Sequence, residues 1–231
     1  SFRFSQDIAN LAMRVLNFKE HVNGAQKNEI LGIGNHTAYK SKAVIARTNL
    51  GLLLKAIEYV TERKTVKHIY FEGNINSYTY ADEGASLYDV LNLYNGKRHL
   101  IKDSLIRAMK DINELENYIK KTEDPQLGMM VEIVKEYGNE IPGIIRRIKE
   151  KHVGNDEKEK AEMIFSTVHR CKGMEYDAIQ LVNDFITEEK LIKDKKSVWK
   201  NTSKLNEEIN LLYVAVTRTR NSIHIPESLM P

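Results

Sequence analysis

Residues 167–176, with the sequence T-V-H-R-C-K-G-M-E-Y, bring together side chains that could bind a nucleotide or a nucleic acid backbone. Threonine, histidine and lysine can donate hydrogen bonds to phosphate oxygens, and Glu175 could accept one from a ribose hydroxyl. Gly173 has no Cβ, so the backbone there could approach a phosphate or a sugar closely. The alternative is an ordinary polar loop that only connects a strand to the next element. The residue types alone leave both interpretations open.

Arginines mark two further segments. At 211–220 an apolar helical stripe ends in the sequence T-R-T-R, and arginine is well suited to bidentate contact with phosphate. Alternatively, Arg218 and Arg220 only favour the negative end of the preceding helix. The chain opens with S-F-R-F, which places Arg3 between two aromatic residues. The alternative for this segment is a frayed terminus whose phenylalanines pack into the core.

Other kinds of site find little support. The seven histidines are scattered without a His-Glu-x-x-His motif, and Cys171 is the single cysteine, so we predict no metal site and no intramolecular disulfide. A lone cysteine favours a reducing intracellular compartment. The net charge of +3 permits nucleic acid binding without requiring it.

Composition limits the class of protein. With 42% hydrophobic and 29% charged residues in 231, the chain can bury a core, which argues against intrinsic disorder. No apolar run approaches the length of a membrane span, and no signal peptide opens the chain. The first residue is not methionine, so we expect a piece of a longer protein.

Alternating patterns predict the elements that must position these segments. Helical spacing of apolar residues separates several short apolar runs, and such alternation is typical of a mostly parallel sheet covered on both faces. Ligand sites in these sheets lie beyond the carboxyl ends of the strands. The runs predict strands at 43–46, 66–71, 163–168, 178–182 and 222–225.

The spacing of apolar residues changes in the middle of the chain, where three stripes with helical periodicity occupy 100–151 and little indicates a strand. We therefore predict an α/β domain in two pieces, 1–95 and 159–231, interrupted by a small all-helical insertion at 96–158. A lysine-rich loop is predicted at 190–204.

Four segments resemble motifs of the superfamily 1 DNA helicases of the UvrD, Rep and PcrA type, and they occur along the chain in the same order as in that family. Residues 167–176 are similar to their T-x-H-x-x-K-G-L-E-F/W motif, and 207–218 are similar to E-E-x-R-L-x-Y-V-A-x-T-R. Residues 1–3 resemble N-Y-R, and 45–49 resemble a strand that ends in R-T-N. The S-F-R-F opening and the L-L-Y-V-A-V-T-R ending most resemble the F-box helicase lineage of that family.

The resemblance implies a RecA-like sheet domain of the P-loop NTPase type (the second such domain, 2A) with a helical 2B-like insertion. It also implies roles at a nucleotide. Arg3 and Arg218 would reach the γ-phosphate of ATP as arginine fingers, which in other nucleotide hydrolases contribute about 10³–10⁵ in rate. Phe2 would stack on adenine, Gly173 would approach the nucleotide, and Glu175 would contact the ribose.

For DNA, the resemblance implies contacts from Asn49, Thr167 and His169 to the backbone of a single strand, with Lys172 ordering the loop. It further implies movement from 3′ to 5′ powered by ATP with Mg²⁺. The chain departs from the family pattern at a few positions. These are Ser1, Leu53, Ile209 and Asn210.

A phosphate-binding G-x-x-x-x-G-K-[ST] motif and a Mg²⁺-binding acidic strand motif are both missing, and the only Gly-Lys pair, at 96–97, lacks the leading glycine. In the family those motifs lie in an upstream RecA-like domain. We therefore expect this chain to be inactive alone and to work with that domain of the same protein. The alternative is a degenerate helicase domain that binds DNA or a protein partner without catalysis.

The remaining expectations concern partners and location. Single-stranded DNA and junctions of single- and double-stranded DNA are the partners that the resemblance implies, in processes such as DNA repair. A cytoplasmic location is expected, on the nucleoid in a bacterium, with no membrane partner.

Overall fold

The computed structural model describes residues 1–24, 29–35, 39–79, 86–195 and 202–230, except the side chains of 79 and 193–195. These residues form two compact units. The first contains Ser1–Thr48, Lys67–Gly73 and Val153–Pro231, and the second contains Asn49–Val66 and Asn74–His152.

The first unit is built on a five-stranded sheet in the order β2-β3-β1-β4-β5, with every pairing parallel. The predicted α/β fold is thereby confirmed, and the sheet is consistent with a RecA-like domain. The strands are β1 (Lys42–Ala46), β2 (Ile69–Phe71), β3 (Met163–Thr167), β4 (Tyr176–Leu181) and β5 (Thr219–His224).

Helices alternate with these strands and fill the second unit. In chain order they are α1 (Gln6–Asn17), α2 (Glu20–Asn23), α3 (Asn49–Glu62), α4 (Asn76–Thr79), α5 (Leu87–Tyr94), α6 (Ser104–Ala108), α7 (Ile112–Thr122), α8 (Pro125–Tyr137), α9 (Ile141–Lys151), α10 (Glu188–Lys195) and α11 (Thr202–Val216). The lysine-rich loop predicted at 190–204 is wrong at both ends, because 190–195 belong to α10 and 202–204 to α11. Residues 196–201 of this prediction lie outside the described part of the chain.

The centre of the sheet is apolar on both faces. Nearly every residue of β1, β2 and β3 is buried, and side chains alternate between faces along a strand, so both faces are covered. Phe71 and Phe165 stack across neighbouring strands with ring centroids 5.0 Å apart. The apolar stripe of α1, which includes Ile8 and Val15, is buried, and α1 packs against α11.

The second unit is all helical in the residues described. Two of its helices, α7 and α8, begin at aspartate caps: the Asp111 carboxylate accepts from backbone N–H groups at the start of α7, and Asp124 does the same for α8, whose first residue is Pro125. Leu115 and Ile133 are fully buried in its interior. None of the helices in the described residues is long and apolar enough to cross a membrane.

The compact units do not follow the predicted borders at 95 and 158. Residues 49–66 and 74–95 were predicted to belong to the α/β domain, whereas α3 packs against α8 and α9 of the helical unit. Compactness alone does not define the domains of a family, so the three-segment assignment stays a prediction.

Candidate functional site

The connection at 168–175 carries most of the predicted site. It leaves the carboxyl end of β3 at Thr167 and enters β4 at Tyr176, and because both strands run parallel to β1 it passes from the carboxyl edge of the sheet to the amino edge. Its first turn is held by the Thr167 carbonyl, which accepts from the N–H groups of Arg170 (3.0 Å) and Cys171 (3.1 Å). The connection therefore presents His169 near one edge and Glu175 near the other.

Cys171 anchors the middle of this connection. Its side chain is fully buried in the core of the first unit, and burial raises the pKa of the thiol to about 11. The thiol is thus protonated at neutral pH, which agrees with a packing role and leaves no nucleophile there.

Glu175 lies between two arginines. Arg3 Nε is 3.0 Å from one carboxylate oxygen, and Arg220 Nε donates to the other at 3.0 Å. Arg3 keeps 59% of its side chain exposed and Glu175 keeps 22%, so the pair faces solvent. We name Arg3, Glu175, Arg218 and Arg220 the arginine cluster.

Arg218 is nearly buried and contacts the residue next to Glu175. It follows the end of α11, is 9% exposed, and donates from Nε to the Val214 carbonyl (3.0 Å) and from Nη1 to the Met174 carbonyl (3.2 Å). Since Met174 precedes Glu175, Arg3 and Arg218 contact adjacent residues. The two predicted fingers therefore converge on one short segment although they lie near opposite ends of the chain.

The segment that carries Arg3 is held in place. Ile33 N–H donates to the Ser1 carbonyl (2.8 Å), and Gly34 N–H donates to the Phe4 carbonyl (3.0 Å). The approach is so close that a Cβ on Gly32 would lie 2.3 Å from the Ser5 carbonyl oxygen. The alternative of a frayed terminus with both phenylalanines in the core fails, because the segment is hydrogen-bonded and only Phe4 is buried. Phe2 is 80% exposed.

Gly173 has the conformation that its residue type favours. Its φ is +85°, in the left-handed region, and no atom lies within 4 Å of the position that a Cβ would occupy. The backbone is therefore open to a ligand at this point. Gly173 is also two residues from Glu175, so the predicted nucleotide contacts at 173 and 175 lie together.

A second cluster forms where β1 and β3 end. Arg47 follows β1, and its Nε and Nη2 donate to the two carboxylate oxygens of Glu208, each at 2.8 Å, in a bidentate pair. Arg47 Nη1 lies 3.3 Å from His169 Nε2. The Glu208 pair holds the pKa of Arg47 above its ordinary value, and the same pair lowers the pKa of Glu208. Both side chains are thus charged near neutral pH.

Asp184 fixes the backbone next to this pair. Its carboxylate follows β4 and accepts from the N–H of Arg47 (2.8 Å), the N–H of Thr48 (2.8 Å) and the Thr48 hydroxyl (2.8 Å). Burial raises the pKa of this carboxyl, and those three hydrogen bonds oppose the rise. We name Arg47, Thr48, His169, Asp184 and Glu208 the carboxylate bracket.

His169 is exposed at the edge of the bracket. Burial of part of the ring lowers its pKa, the positive charges of Arg47 and Lys172 lower it further, and Glu207 and Glu208 raise it. The imidazole is therefore neutral at pH 7, with Nε2 beside a guanidinium donor.

The three residues predicted to contact DNA have different environments. His169 is exposed, but Thr167 is only 5% exposed at the end of β3. Asn49 begins α3 in the other compact unit, where its side-chain amide donates to the Ser77 carbonyl (3.1 Å). The structure therefore brings Thr167 and His169 together in one turn.

Sequence reasoning gave no role to four residues of these clusters: Arg47, Thr48, Asp184 and Glu208. Three of them, Arg47, Thr48 and Glu208, lie within segments that resemble family motifs, so the motifs were the available signal. Asp184 follows an apolar strand, which is where ligand sites of such sheets lie. Arg220 was considered only as a phosphate contact or as a partner of the helix end. What was missing is the pairing, because Arg47–Glu208 and Arg220–Glu175 join distant parts of the chain.

Comparison with known proteins gives a family. A family model described as the UvrD-like helicase C-terminal domain matches residues 17–227. F-box DNA helicase 1 of Gallus gallus is 26% identical over 255 residues, which cover 99% of this chain and 23% of that protein. F-box DNA helicase protein 1 of Schizosaccharomyces pombe is 26% identical over 251 residues, which cover 99% of this chain and 27% of that protein. The chain thus spans about a quarter of the length of these relatives.

Proposed function

Because the chain belongs to the family of UvrD-like helicase C-terminal domains, we propose that it is the C-terminal portion of an ATP-dependent DNA helicase or translocase. In this role it supplies one wall of a nucleotide cleft, and an upstream RecA-like domain of the same protein supplies the other. The observation that carries the proposal is the convergence of Arg3 and Arg218 on Glu175 and the Met174 carbonyl.

The arginine cluster suits a nucleotide. Glu175 is accessible to a ribose hydroxyl, the Gly173 backbone borders open space, and exposed Phe2 offers a ring to adenine. In the proposal Arg3 and Arg218 stabilise the charge that develops on the γ-phosphoryl group as it passes to water.

Magnesium would be bound elsewhere. Within the described residues no group of three or more His, Cys, Asp or Glu side chains could hold a metal ion. We assign the Mg²⁺ ligands and the phosphate-binding loop to the upstream domain, so the 231-residue chain alone should not hydrolyse MgATP.

The carboxylate bracket suits a single DNA strand. In the proposal His169, Thr167 and Asn49 contact the sugar–phosphate backbone, and ATP-driven closure and opening of two RecA-like domains move the protein from 3′ to 5′. Exposed His169 beyond the carboxyl end of β3 supports this placement.

The experiment is a strand-displacement assay on the natural full-length protein, with a duplex that carries either a 3′ or a 5′ single-stranded tail. We expect ATP turnover that single-stranded DNA stimulates, and unwinding from the 3′-tailed duplex. Turnover without unwinding from either tail would reduce the function to ATP hydrolysis, and unwinding only from the 5′ tail would overturn the polarity.

One observation favours a second function, a non-catalytic DNA- or protein-binding module. Arg218 is almost buried and donates to two backbone carbonyls, as a structural arginine does. The reading frame upstream of Ser1 separates the two functions: a Walker A motif there supports the helicase, and an upstream region without one supports the module.

A further inference from the structure

We propose that Glu208 and Asp184 are positioning residues for single-stranded DNA, and that they act by fixing Arg47, Thr48 and His169 in one arrangement. The inference rests on the proposed function and deepens it, because it names the residues that give the strand-binding surface its shape.

Asp184 fixes the main chain. Its three hydrogen bonds, all at 2.8 Å, take up the N–H groups of Arg47 and Thr48 and the Thr48 hydroxyl. One carboxylate thus sets the turn at which β1 ends, at the carboxyl edge of the sheet where ligands bind. Without it, two backbone donors would lose their partner and the turn would be free to rearrange.

Glu208 fixes the guanidinium plane. Two parallel bonds of 2.8 Å leave Arg47 a single orientation, because a bidentate arginine–carboxylate pair constrains both distance and plane. The exposed fraction is 27% for Arg47 and 20% for Glu208, so the pair is shielded from water over most of its surface. The orientation that results brings Arg47 Nη1 to His169.

The fixed position of Arg47 determines the hydrogen bonding of His169. Arg47 Nη1 and His169 Nε2 are 3.3 Å apart, and both groups are donors when the imidazole is charged. The neutral ring can accept from Arg47 through Nε2, which leaves Nδ1–H to donate to a phosphate oxygen. Arg47 therefore selects a tautomer, and Glu208 holds Arg47 where it can do so.

Electrostatics and positioning predict opposite effects on DNA affinity when Asp184 or Glu208 is neutralised. Asp184 and Glu208 are carboxylates beside a surface that binds an anionic strand, so long-range electrostatics alone predicts that their removal tightens DNA binding. Positioning predicts the opposite, because a misplaced Arg47 and His169 lose hydrogen bonds to the strand.

The test uses the 231-residue chain and a fluorescein-labelled oligothymidine, with anisotropy measured at several low salt concentrations. Glu208→Gln keeps the shape of the side chain and removes its charge, and we expect binding to weaken roughly tenfold. The dependence of affinity on salt should fall by no more than about one phosphate contact, because Arg47 is the cation that is displaced and phosphate contacts by other cations remain. Asp184→Asn should weaken binding in the same direction.

The matched control is Glu188→Gln. Glu188 also belongs to the first unit and contacts a different partner, His21, at 2.8 Å, and 45% of its side chain is exposed. Its substitution changes the net charge as Glu208→Gln does, and it should leave binding unchanged or slightly tighter.

Arg47→Lys is the second variant, for the case that a carboxylate variant does not fold. Lysine keeps the positive charge but lacks the planar fork, so we expect the same loss of affinity at an unchanged thermal midpoint. Wild-type chain that shows no binding to the oligonucleotide would overturn the DNA part of the proposed function together with this inference. Wild-type binding that Glu208→Gln and Arg47→Lys leave equal or tighter would overturn the inference alone.

Discussion

The arginine cluster contains more arginines than carboxylates, whereas the carboxylate bracket contains more carboxylates than arginines. In the first, Arg3 and Arg220 contact the single carboxylate of Glu175, and Arg218 contacts the carbonyl of the preceding residue, Met174. In the second, the carboxylates of Asp184 and Glu208 hold the single arginine Arg47. The first cluster keeps an excess of positive charge that suits a polyphosphate. The second has no such excess, so the strand binding that we propose for it depends on the orientation of its donors.

The connection at 168–175 and helix α11 join these two regions. His169 of the connection contacts the bracket while Glu175 contacts the arginine cluster. Glu208 lies within α11, and Arg218 follows its end. One connection and one helix therefore carry residues of both clusters. The clusters differ in charge balance, and this difference determines which kind of ligand each would suit.

The largest effect that sharpens the comparison is expected at Arg3. In the natural full-length protein, Arg3→Ala should lower ATP turnover by about 10³, because it removes a charge that would stabilise the transferring phosphoryl group. Arg220→Ala removes the same charge from the other side of Glu175 and should change turnover by less than about tenfold, since Arg220 is not predicted to reach the phosphate.

Steady-state turnover with saturating single-stranded DNA measures both variants. Arg146→Ala, a change of an arginine that is 78% exposed in the helical unit, is the control for loss of a surface charge. Equal losses for Arg3→Ala and Arg220→Ala would show that the cluster acts through Glu175 and that Arg3 is no finger.

An effect of intermediate size is expected on the free energy of unfolding when the glycine beside the Arg3 segment is changed. Gly32→Ala would place a Cβ 2.3 Å from the Ser5 carbonyl, so the segment that carries Arg3 must shift, at a cost of about 1–3 kcal/mol in the free energy of unfolding. The matched change, Gly143→Ala, meets no atom within 4 Å and lies in α9, so it should stabilise by up to about 1 kcal/mol.

Urea titration of the 231-residue chain checks the pair of glycine variants. Oligothymidine binding by Gly32→Ala should stay at the wild-type level, because the carboxylate bracket does not contact this segment through any described hydrogen bond. A loss of strand binding in Gly32→Ala would mean that the two clusters are less independent than their contacts indicate.

The smallest effect concerns protonation of His169. Burial first, and then Arg47 and Lys172, lower its pKa below 6.5, against the opposing charges of Glu207 and Glu208. The ring gains its positive charge only as the pH falls through that lowered pKa, so oligothymidine binding should tighten about threefold below pH 6.5 and stay flat above it.

His169→Gln should remove this acid-side rise, whereas His21→Gln should keep it. The measurement is anisotropy from pH 5 to pH 8 at fixed ionic strength. A rise that persists in His169→Gln would assign the titration to another group.

Much of the fold could be predicted because its signals are local. Buried strands in a parallel sheet are short apolar runs, and β1 and β3 were found within one residue of their observed ends. β5 was predicted at 222–225 but begins at Thr219, since its first residues, T-R-N, are polar and pair with β4 across a register shift near Tyr176. Apolar pattern cannot detect such residues.

The partners of an element could not be predicted. The stripe of α3 predicts a buried face but does not say what covers it, and α8 and α9 pack against it. The candidate site shows the same limit. Motif residues such as Arg3, Glu175 and His169 could be selected by type and resemblance, whereas Asp184 became visible only when β4 and β1 placed it beside the turn at Thr48.

The most direct test of the central claim is Arg218→Ala in the natural full-length protein, with ATP affinity and single-stranded-DNA-stimulated turnover measured on the same preparation. Arg218→Lys checks whether charge alone restores function after the contacts to Val214 and Met174 are lost. The account predicts ATP affinity within about threefold of wild type and turnover lower by about 10³ or more in Arg218→Ala. Turnover equal to wild type in a folded Arg218→Ala protein would contradict it.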